Sequence, residues 1–243
     1  MNVDETGADT IFTARSHRGR SFTTHWPVRL ADCGSDGRLR PDGLVRYLQD
    51  VAGDDWIDTG LPQSETWLVR HAAFRLVDGA SWPALGDEVT LTTWCSGTGA
   101  AWAERRTDVD VAGERLIESV TLWVPVGPSG RPVRLSPGFY DAYGESARRR
   151  VSGRVTVTPP PQQAQRRPWP LRRSDLDVVG HVNNAALWSP LVDVASGPVR
   201  SARIIHHAPV SWSDEAELVV DGARWWLTVE QLVRVEGVYT LDG

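Results

Sequence analysis

The sequence DLDVVGHVNN, residues 175–184, is a turn-rich stretch that comes just before a predicted helix. It places Asp177, Gly180 and His181 close together in the chain. A carboxylate, an imidazole and the free N–H groups of a helix N-terminus are groups that can activate water against a carbonyl. If the helix begins near Val182, its first N–H groups would form an oxyanion site. This stretch is therefore the candidate active-site loop.

The loop has a counterpart 143 residues earlier in the chain. The matched pairs are Asp32 with Asp175, Gly37 with Gly180, Leu39 with Val182 and Leu44 with Leu187. Self-similarity of this kind predicts one supersecondary unit present twice. Arg38 stands where the second copy has His181, and Gly34 stands where it has Asp177. A single catalytic centre would therefore belong to the second unit.

The first unit has one helical segment followed by strands. Pro41 suits the first turn of a helix and Gly60 suits its end, so the pattern predicts a helix over 41–58. Its apolar face is formed by Leu44, Tyr47, Leu48, Val51, Ala52 and Trp56. Strands are predicted near 23–30 and then at 67–76, 88–95, 101–109 and 115–125. A curved antiparallel sheet wrapped around the helix would bury both.

The second unit repeats this order. A short helix is predicted at about 183–195, and Pro190 inside it would kink or shorten it. Strands are predicted at 200–207, 215–220, 223–229 and 231–241. The predicted divisions are a frayed N-terminus at 1–20, a first unit at 21–143, a linker at 144–168 and a second unit at 169–243. Within the linker, 154–158 is strand-like.

Composition narrows the class of protein. The chain has 243 residues, of which 41% are hydrophobic and 23% charged, as in ordinary globular proteins. A net charge of -5 argues against a nucleic-acid binder. Its two cysteines are too few for a disulfide framework and are compatible with a reducing cytoplasm. There is no apolar run long enough to span a membrane, so the sequence predicts a cytoplasmic protein.

Several segments resemble the acyl-ACP thioesterases, plant-type and bacterial. In the first half these are GRL at 37–39 leading into LVRYLQ at 44–49, TTW at 92–94 followed by Arg105, and LWV at 122–124 followed by RPVRL at 131–135. In the second half they are SDLD at 174–177 and HVNN at 181–184. The resemblance implies an α+β fold, a tandem (double) hotdog with two helix-wrapped antiparallel sheets. It also implies hydrolysis of fatty acyl-ACP, with acyl carrier protein as the partner and no cofactor or metal.

The site residues that match the family pattern lie in the loop. Asp177 and His181 are the implied catalytic residues, and Val182, Asn183 and Asn184 would form the oxyanion or water-positioning group. Val179 stands where the plant-type members have an asparagine, and the segment IHHAP at 205–209 has no match to their acid on a following strand. The loop also resembles that of bacterial hotdog acyl-CoA thioesterases, so the carrier, ACP or CoA, stays open.

The sequence also fits functions other than thioester hydrolysis. Asp177 and the asparagines could be turn formers and caps, which would suit a non-catalytic acyl-binding module. A hotdog hydratase or dehydratase is disfavoured because only three residues separate Asp177 from His181 and none is proline. Cys33 and Cys95 lack a neighbouring base and are interpreted as buried apolar residues. Trp94, Trp102 and Trp123 are mostly expected in the sheet core, where some could line an acyl tunnel.

Two further features bear on partners. His206 and His207 are adjacent on a strand and would face opposite ways, so a metal is not expected there. Arginines cluster at 148–150, 166–167 and 172–173 in a chain that is acidic overall. They fit either a solvated linker or the docking of acyl carrier protein or the CoA phosphates. A monomer or a homodimer is expected.

Overall fold

The computed structural model describes residues 12–16, 18–62 and 66–242. Its strands are β1 (Phe22–Pro27), β2 (Thr66–Leu76), β3 (Glu88–Thr98), β4 (Ala103–Val111), β5 (Glu114–Val126), β6 (Gln165–Trp169), β7 (Val199–His206), β8 (Ala216–Asp221), β9 (Arg224–Val229) and β10 (Leu232–Leu241). The α-helices are α1 (Pro41–Asp58), α2 (Pro137–Tyr143) and α3 (Ser189–Val194). The predicted helix at 41–58 is confirmed, and the strands predicted within the two units are confirmed to within a few residues.

The strands form one antiparallel sheet in the order β1-β3-β4-β5-β2-β7-β10-β9-β8-β6. The two halves of the sheet have the same internal strand order, read from each outer edge towards the middle. This order is β1-β3-β4-β5-β2 in the first half and β6-β8-β9-β10-β7 in the second. In both halves the helical segment follows the first strand. The sequence predicts two separate sheets, whereas the described strands form a single ten-stranded sheet. The halves join because β2 pairs with β7.

The core lies between the sheet and the helices. Leu44 and Val51 on α1 are fully buried, as the helical periodicity predicts. They belong to the same cluster as Phe74 on β2 and Trp188 just before α3. The rings of Phe74 and Trp188 lie 5.5 Å apart, so this contact connects the two halves through their apolar side chains.

The two copies of the loop have the same backbone hydrogen bonds. The Gly34 N–H donates to the Arg38 carbonyl at 2.8 Å, and the Asp177 N–H donates to the His181 carbonyl at 2.8 Å. A second bond, from the Gly37 N–H to the Gly34 carbonyl, corresponds to the one from the Gly180 N–H to the Asp177 carbonyl. A third, from the Arg40 N–H to the Asp32 carbonyl, corresponds to the one from the Asn183 N–H to the Asp175 carbonyl. Gly37 and Gly180 both have positive φ, +73° and +82°. The repeat seen in the sequence is thus a repeat of local structure.

The second helical segment differs from the prediction over about 183–195. Residues 183–185 form a turn, Ala186–Trp188 form a 3-10 helix, and α3 begins only at Ser189. Pro190 has no N–H to donate to a carbonyl four residues earlier, which disfavours one continuous α-helix over this segment, and it lies in the first turn of α3, where that N–H is not needed. A helix N-terminus at Val182 is therefore wrong.

The segment before β6 also differs from the prediction. Residues 154–158 form no strand; instead the Thr158 N–H donates to the Glu236 carboxylate at 2.9 Å and the Trp226 Nε1–H donates to the Thr158 carbonyl at 2.7 Å. Side chains of the sheet thus hold this extended chain without a ladder of backbone bonds. β6 begins at Gln165, inside the predicted linker.

Two other differences concern the first half. α2 was not predicted, although Ser136 caps it by accepting the Phe139 N–H at 3.2 Å and Pro137 occupies its first turn. Part of the predicted frayed N-terminus, residues 1–11 and 17, lies outside the described residues. Of its described part, the Phe12 ring lies 4.4 Å from the Arg75 guanidinium and the Thr13 carbonyl accepts from Arg106 at 2.8 Å.

Gly237 on β10 provides a test of the packing. A Cβ added there would lie 2.3 Å from the buried Trp225 ring. We expect Gly237→Ala to lower the free energy of unfolding by about 1–3 kcal/mol, because the indole has no space to move into. Urea denaturation measures the loss. In the matched control Gly53→Ala nothing lies within 4 Å of the new Cβ on α1, so stability should rise by about 0.5–1 kcal/mol. Equal effects of the two substitutions would contradict the packing described.

Candidate active site

The loop at 175–184 is held as a tight turn by its own groups. The Oδ1 of Asp177 accepts the N–H of Val179 at 3.0 Å and the N–H of His181 at 3.2 Å. Asp177 is half-buried, whereas the His181 side chain is exposed. No hydrogen bond joins the imidazole to the carboxylate in the described part of the chain. Asp177 thus acts on His181 through the backbone, by fixing the turn that presents it.

The three residues after His181 have different environments. The Val182 N–H donates to the Val210 carbonyl at 2.9 Å, and the Asn183 N–H donates to the Asp175 carbonyl at 2.7 Å. The Oδ1 of Asn183 accepts the Ala185 N–H at 2.8 Å. Two of the three predicted oxyanion donors are thus already bonded to the protein. Neither the backbone N–H nor the side chain of Asn184 has a hydrogen-bond partner among the described residues.

A cavity of about 220 Å³ lies between α1, the sheet and α2 of the first half. We call it the aromatic cavity. Its lining residues are Gln49, Ala52, Gly53, Trp56, Trp67, Cys95, Ala103, Glu104, Arg105, Trp123 and Phe139. The rings of Trp56 and Trp67 lie 5.4 Å apart, and Phe139 lies within 6.3 Å of each. Apolar, concave and partly enclosed, it is suited to a hydrocarbon chain. Of the tryptophans considered from sequence, Trp123 lines it.

The wall of the aromatic cavity contains a buried ionic cluster. Asp55 is fully buried; its carboxylate accepts from Arg105 at 2.7 Å, from the Tyr143 hydroxyl at 2.8 Å and from Arg20 at 2.9 Å. Burial lowers the pKa of Arg105, but its interactions with Tyr143 and with the Asp55 carboxylate outweigh burial and raise that pKa above its usual value. Burial is also the main reason that the pKa of Tyr143 is raised. The guanidinium is thus charged and already paired.

A second, narrower cavity of about 10 Å³ adjoins the aromatic cavity, because Gln49 and Trp123 line both. We call it the narrow cavity. Its other lining residues are Val45, Leu48, Val69, Ala72, Thr121, Asn184, Trp188 and His206. The narrow cavity is thus bordered by two residues of the aromatic cavity wall and by Asn184 of the loop. Asp177, His181, Val182 and Asn183 line neither cavity.

Sequence reasoning missed His206 as a cavity residue. It considered the histidine pair only as metal ligands, although the alternation of a strand already implies that one of the two faces inward. Burial, together with His207, His71 and Arg70, lowers the pKa of His206 to about 3. Its imidazole is thus neutral near neutral pH. The described residues contain no group of three or more His, Cys, Asp or Glu placed to hold a metal ion.

Three comparisons with known proteins bear on this site. The N-terminal domain model of the acyl-ACP thioesterases matches residues 19–143, and the C-terminal domain model matches residues 159–221. An uncharacterized protein of Mycobacterium tuberculosis, Rv2001, is 27% identical over 183 residues, which cover 74% of this chain and 72% of that protein.

Two solved structures resemble this chain over most of its length. An acyl-ACP thioesterase from Bacteroides thetaiotaomicron has a TM-score of 0.75 at 16% identity, covering 90% of this chain and 98% of that one. The 12:0-ACP thioesterase from Umbellularia californica has a TM-score of 0.74 at 15% identity, covering 90% of this chain and 96% of that one. At such identities the likeness concerns the fold.

The antiparallel sheet with few helices is thus the fold of the hotdog thioesterases. Because family models match most of both halves, the chain belongs to the acyl-ACP thioesterase family. Membership supports thioester hydrolysis as the activity. Separately, none of the described helices is both long and apolar enough to cross a membrane.

The ionic cluster predicts a stability effect. Asp55→Ala would leave Arg105 buried without its carboxylate partner, so we expect the free energy of unfolding to fall by about 3–5 kcal/mol. Chemical denaturation measures this. Asp58, which is exposed and forms an ion pair with Arg20, provides the matched control, because Asp58→Ala should cost at most about 1 kcal/mol. Equal losses would contradict the buried charge pair.

The cysteines give a pH-dependent test. Burial raises the pKa of Cys95 to about 11 and also raises that of Cys33. Since the thiolate is the reactive form, both thiols should resist a disulfide reagent at pH 8 in the folded protein and react quickly in denaturant. Rapid modification of Cys95 in the native state, with inactivation, would contradict its role as a packing residue.

Proposed function

We propose that this protein hydrolyses fatty acyl-ACP to free fatty acid and holo-ACP, as a step of fatty acid biosynthesis. The observation that carries the proposal is the aromatic cavity, which shares Gln49 and Trp123 with the narrow cavity that Asn184 lines. We also propose that the chain is a tandem hotdog, in which the first unit shapes the acyl pocket and the second supplies the reacting groups. A cytoplasmic location is part of this proposal and rests on composition.

The proposed reaction needs only water and side chains. The water oxygen adds to the thioester carbonyl carbon, and the carbonyl oxygen takes up the electron pair. When that pair returns, the C–S bond breaks and the thiolate leaves with a proton. His181 would take the proton from water and pass it to the sulfur, since imidazole suits transfer near neutral pH. Asp177 would hold the turn that positions His181.

The carbonyl oxygen needs hydrogen-bond donors as its negative charge develops. Because Val182 and Asn183 already donate their N–H groups to protein carbonyls, Asn184 is the proposed donor of the predicted group. Its backbone N–H and its carboxamide have no bond to any other described residue. Val182 is buried and Asn183 caps the turn, so we propose that both support the position of Asn184.

The carrier is proposed from the charges beside the loop. Arg149 is bound to Glu104, Arg166 lies 3.7 Å from Glu217 and Arg167 lies 3.3 Å from Asp193. By contrast Arg172 is exposed without an acidic partner among the described residues, and Arg173 stacks 4.3 Å over the Trp212 ring. These two arginines adjoin the loop in sequence and could receive the acidic surface of acyl carrier protein, or the phosphates of CoA as the alternative.

His181→Ala tests the activity. We expect a folded protein whose kcat with acyl-ACP falls by about 10²–10⁴-fold, the usual contribution of a proton-transfer group. Initial rates with an acyl-ACP series and matched acyl-CoAs measure this and identify the carrier. His25→Ala is the control, because the His25 side chain is exposed on β1 and forms a hydrogen bond with Thr90. If wild type turns over no acyl thioester but binds acyl chains, the protein is a non-catalytic acyl-binding module.

Arg172→Ser tests carrier docking. We expect the KM for acyl-ACP to rise several-fold with kcat unchanged, and the dependence of KM on salt to weaken, because a screened attraction has been removed. Steady-state kinetics at low and high salt measure both. Arg154→Ser, in the segment that crosses the sheet before β6, is the matched control and should leave KM unchanged. A KM that does not respond to salt in wild type would contradict docking by charge.

A further inference from the structure

His206 is a buried polar side chain without a partner. Its Nε2 is inaccessible to solvent and makes no hydrogen bond with any described residue. Leaving a buried ring nitrogen unpaired is unfavourable, so such atoms often mark a place where a ligand binds. His71 on the neighbouring strand has the same property at its Nδ1. The two histidines differ in which face of the sheet they occupy.

The register of β2 and β7 assigns the faces. His71 lies opposite Ile205, and cross-strand partners share a face, so His206 lies on the other face. Ile205 lines a cavity on the sheet face away from α1, together with Arg203 and Trp226. His206 lines the narrow cavity together with Asn184 and Gln49. Only His206, therefore, lies where the proposed acyl site reaches the loop.

The charge state of His206 decides what it can do there. The groups around it are His71, His207 and Arg70, whose guanidinium donates to the His206 carbonyl at 2.7 Å. All three disfavour a second positive charge, and no carboxylate lines the narrow cavity. A neutral imidazole carries one N–H, on Nδ1 or on Nε2. With the proton on Nε2 it is a fixed, uncharged donor.

We propose that His206 donates its Nε2–H to the thioester carbonyl oxygen, beside Asn184, and forms with it a two-donor oxyanion site. This inference rests on the proposed hydrolysis. When the water oxygen bonds to the carbonyl carbon, the carbonyl electron pair moves to oxygen and the two hydrogen bonds strengthen. When the pair returns and the C–S bond breaks, they weaken. His206 keeps its proton throughout, and the leaving sulfur takes up the proton that His181 received from the attacking water.

Kinetics of His206→Leu and His206→Gln test the role. Loss of one oxyanion donor lowers kcat by about 10²–10³-fold. We expect that loss for leucine, with KM changed only a few-fold, and partial recovery for glutamine, which keeps an N–H donor. His71→Leu is the control, since His71 is a half-buried histidine on the other face of the sheet that also has an unpaired ring nitrogen, and it should retain wild-type kcat. Thermal melting establishes that each variant is folded. Wild-type kcat in a folded His206→Leu protein would overturn the proposal.

The pH profile separates a donor from a base. A neutral donor predicts that kcat of wild type and of His206→Gln follow the same pH dependence between pH 5 and pH 9. If the acid limb disappears in the variant, His206 transfers a proton and the donor role is wrong.

A binding experiment distinguishes this inference from the proposed hydrolysis. The probes are a fatty acyl ketone, with a methylene in place of the thioester sulfur, and the matched alkane without the carbonyl, both followed by tryptophan fluorescence. We expect wild type and His71→Leu to prefer the ketone by about tenfold, and His206→Leu to lose that preference. This result would support the donor even if wild type hydrolysed nothing. Equal preference in all three proteins would overturn it, whatever the activity.

Discussion

Five residue pairs between β2 and β7, from His71 with Ile205 to Arg75 with Ser201, join the two halves of the sheet. Without them each half would end in a strand with unpaired N–H and C=O groups, which is an unfavourable edge. The same pairing brings Phe74 and Trp188 together and allows the Trp82 Nε1–H to donate to the Val199 carbonyl at 2.8 Å. The narrow cavity has walls from both halves, so it exists only because this pairing does.

Patterns that depend on neighbouring residues were predictable from the sequence. The helix at 41–58 has proline at its start and apolar residues at helical spacing, and both signals act within one segment. The turn copies were predictable because glycine at 37 and at 180 marks a backbone with positive φ. The joined sheet was not predictable, because the pairing of β2 with β7 depends on residues far apart in the chain.

The candidate site also combines features that the local sequence predicts with features that depend on tertiary structure. The loop could be identified from its acid, glycine and histidine, but the sequence did not show which acceptor each backbone N–H of the loop donates to. The hydrogen bond from the Val182 N–H to the Val210 carbonyl depends on the tertiary structure, and the exposure of His181 does as well. The inward orientation of one histidine in the pair 206–207 could be anticipated from strand alternation, yet which one faces the cavity required the register of β7.

The two loop copies share a backbone and differ in what they do with it. In the first copy Asp36 accepts the Arg38 N–H at 2.9 Å, and Arg38 donates to the Trp82 carbonyl at 2.8 Å. The Arg38 side chain therefore has a structural role. In the second copy the side chain of the equivalent His181 makes no hydrogen bond with any described residue. A duplicated turn can thus be structural in one copy and free for chemistry in the other, since one side chain at its tip decides the difference.

The placement of charge along the cavities favours one orientation of a bound acyl thioester. In the wall of the aromatic cavity, the guanidinium of Arg105 donates to Asp55, Thr93 and Tyr143, so three of its five N–H donors are already bonded to the protein and its charge is paired with Asp55. At the narrow cavity Asn184 and His206 have donors that the described protein does not use. A buried thioester carbonyl gains most where unpaired donors meet it, whereas the hydrocarbon chain gains most among the aromatic rings. In the proposed site the chain would therefore extend into the first half and the carbonyl would lie beside the loop of the second, so both copies would contribute to binding the substrate.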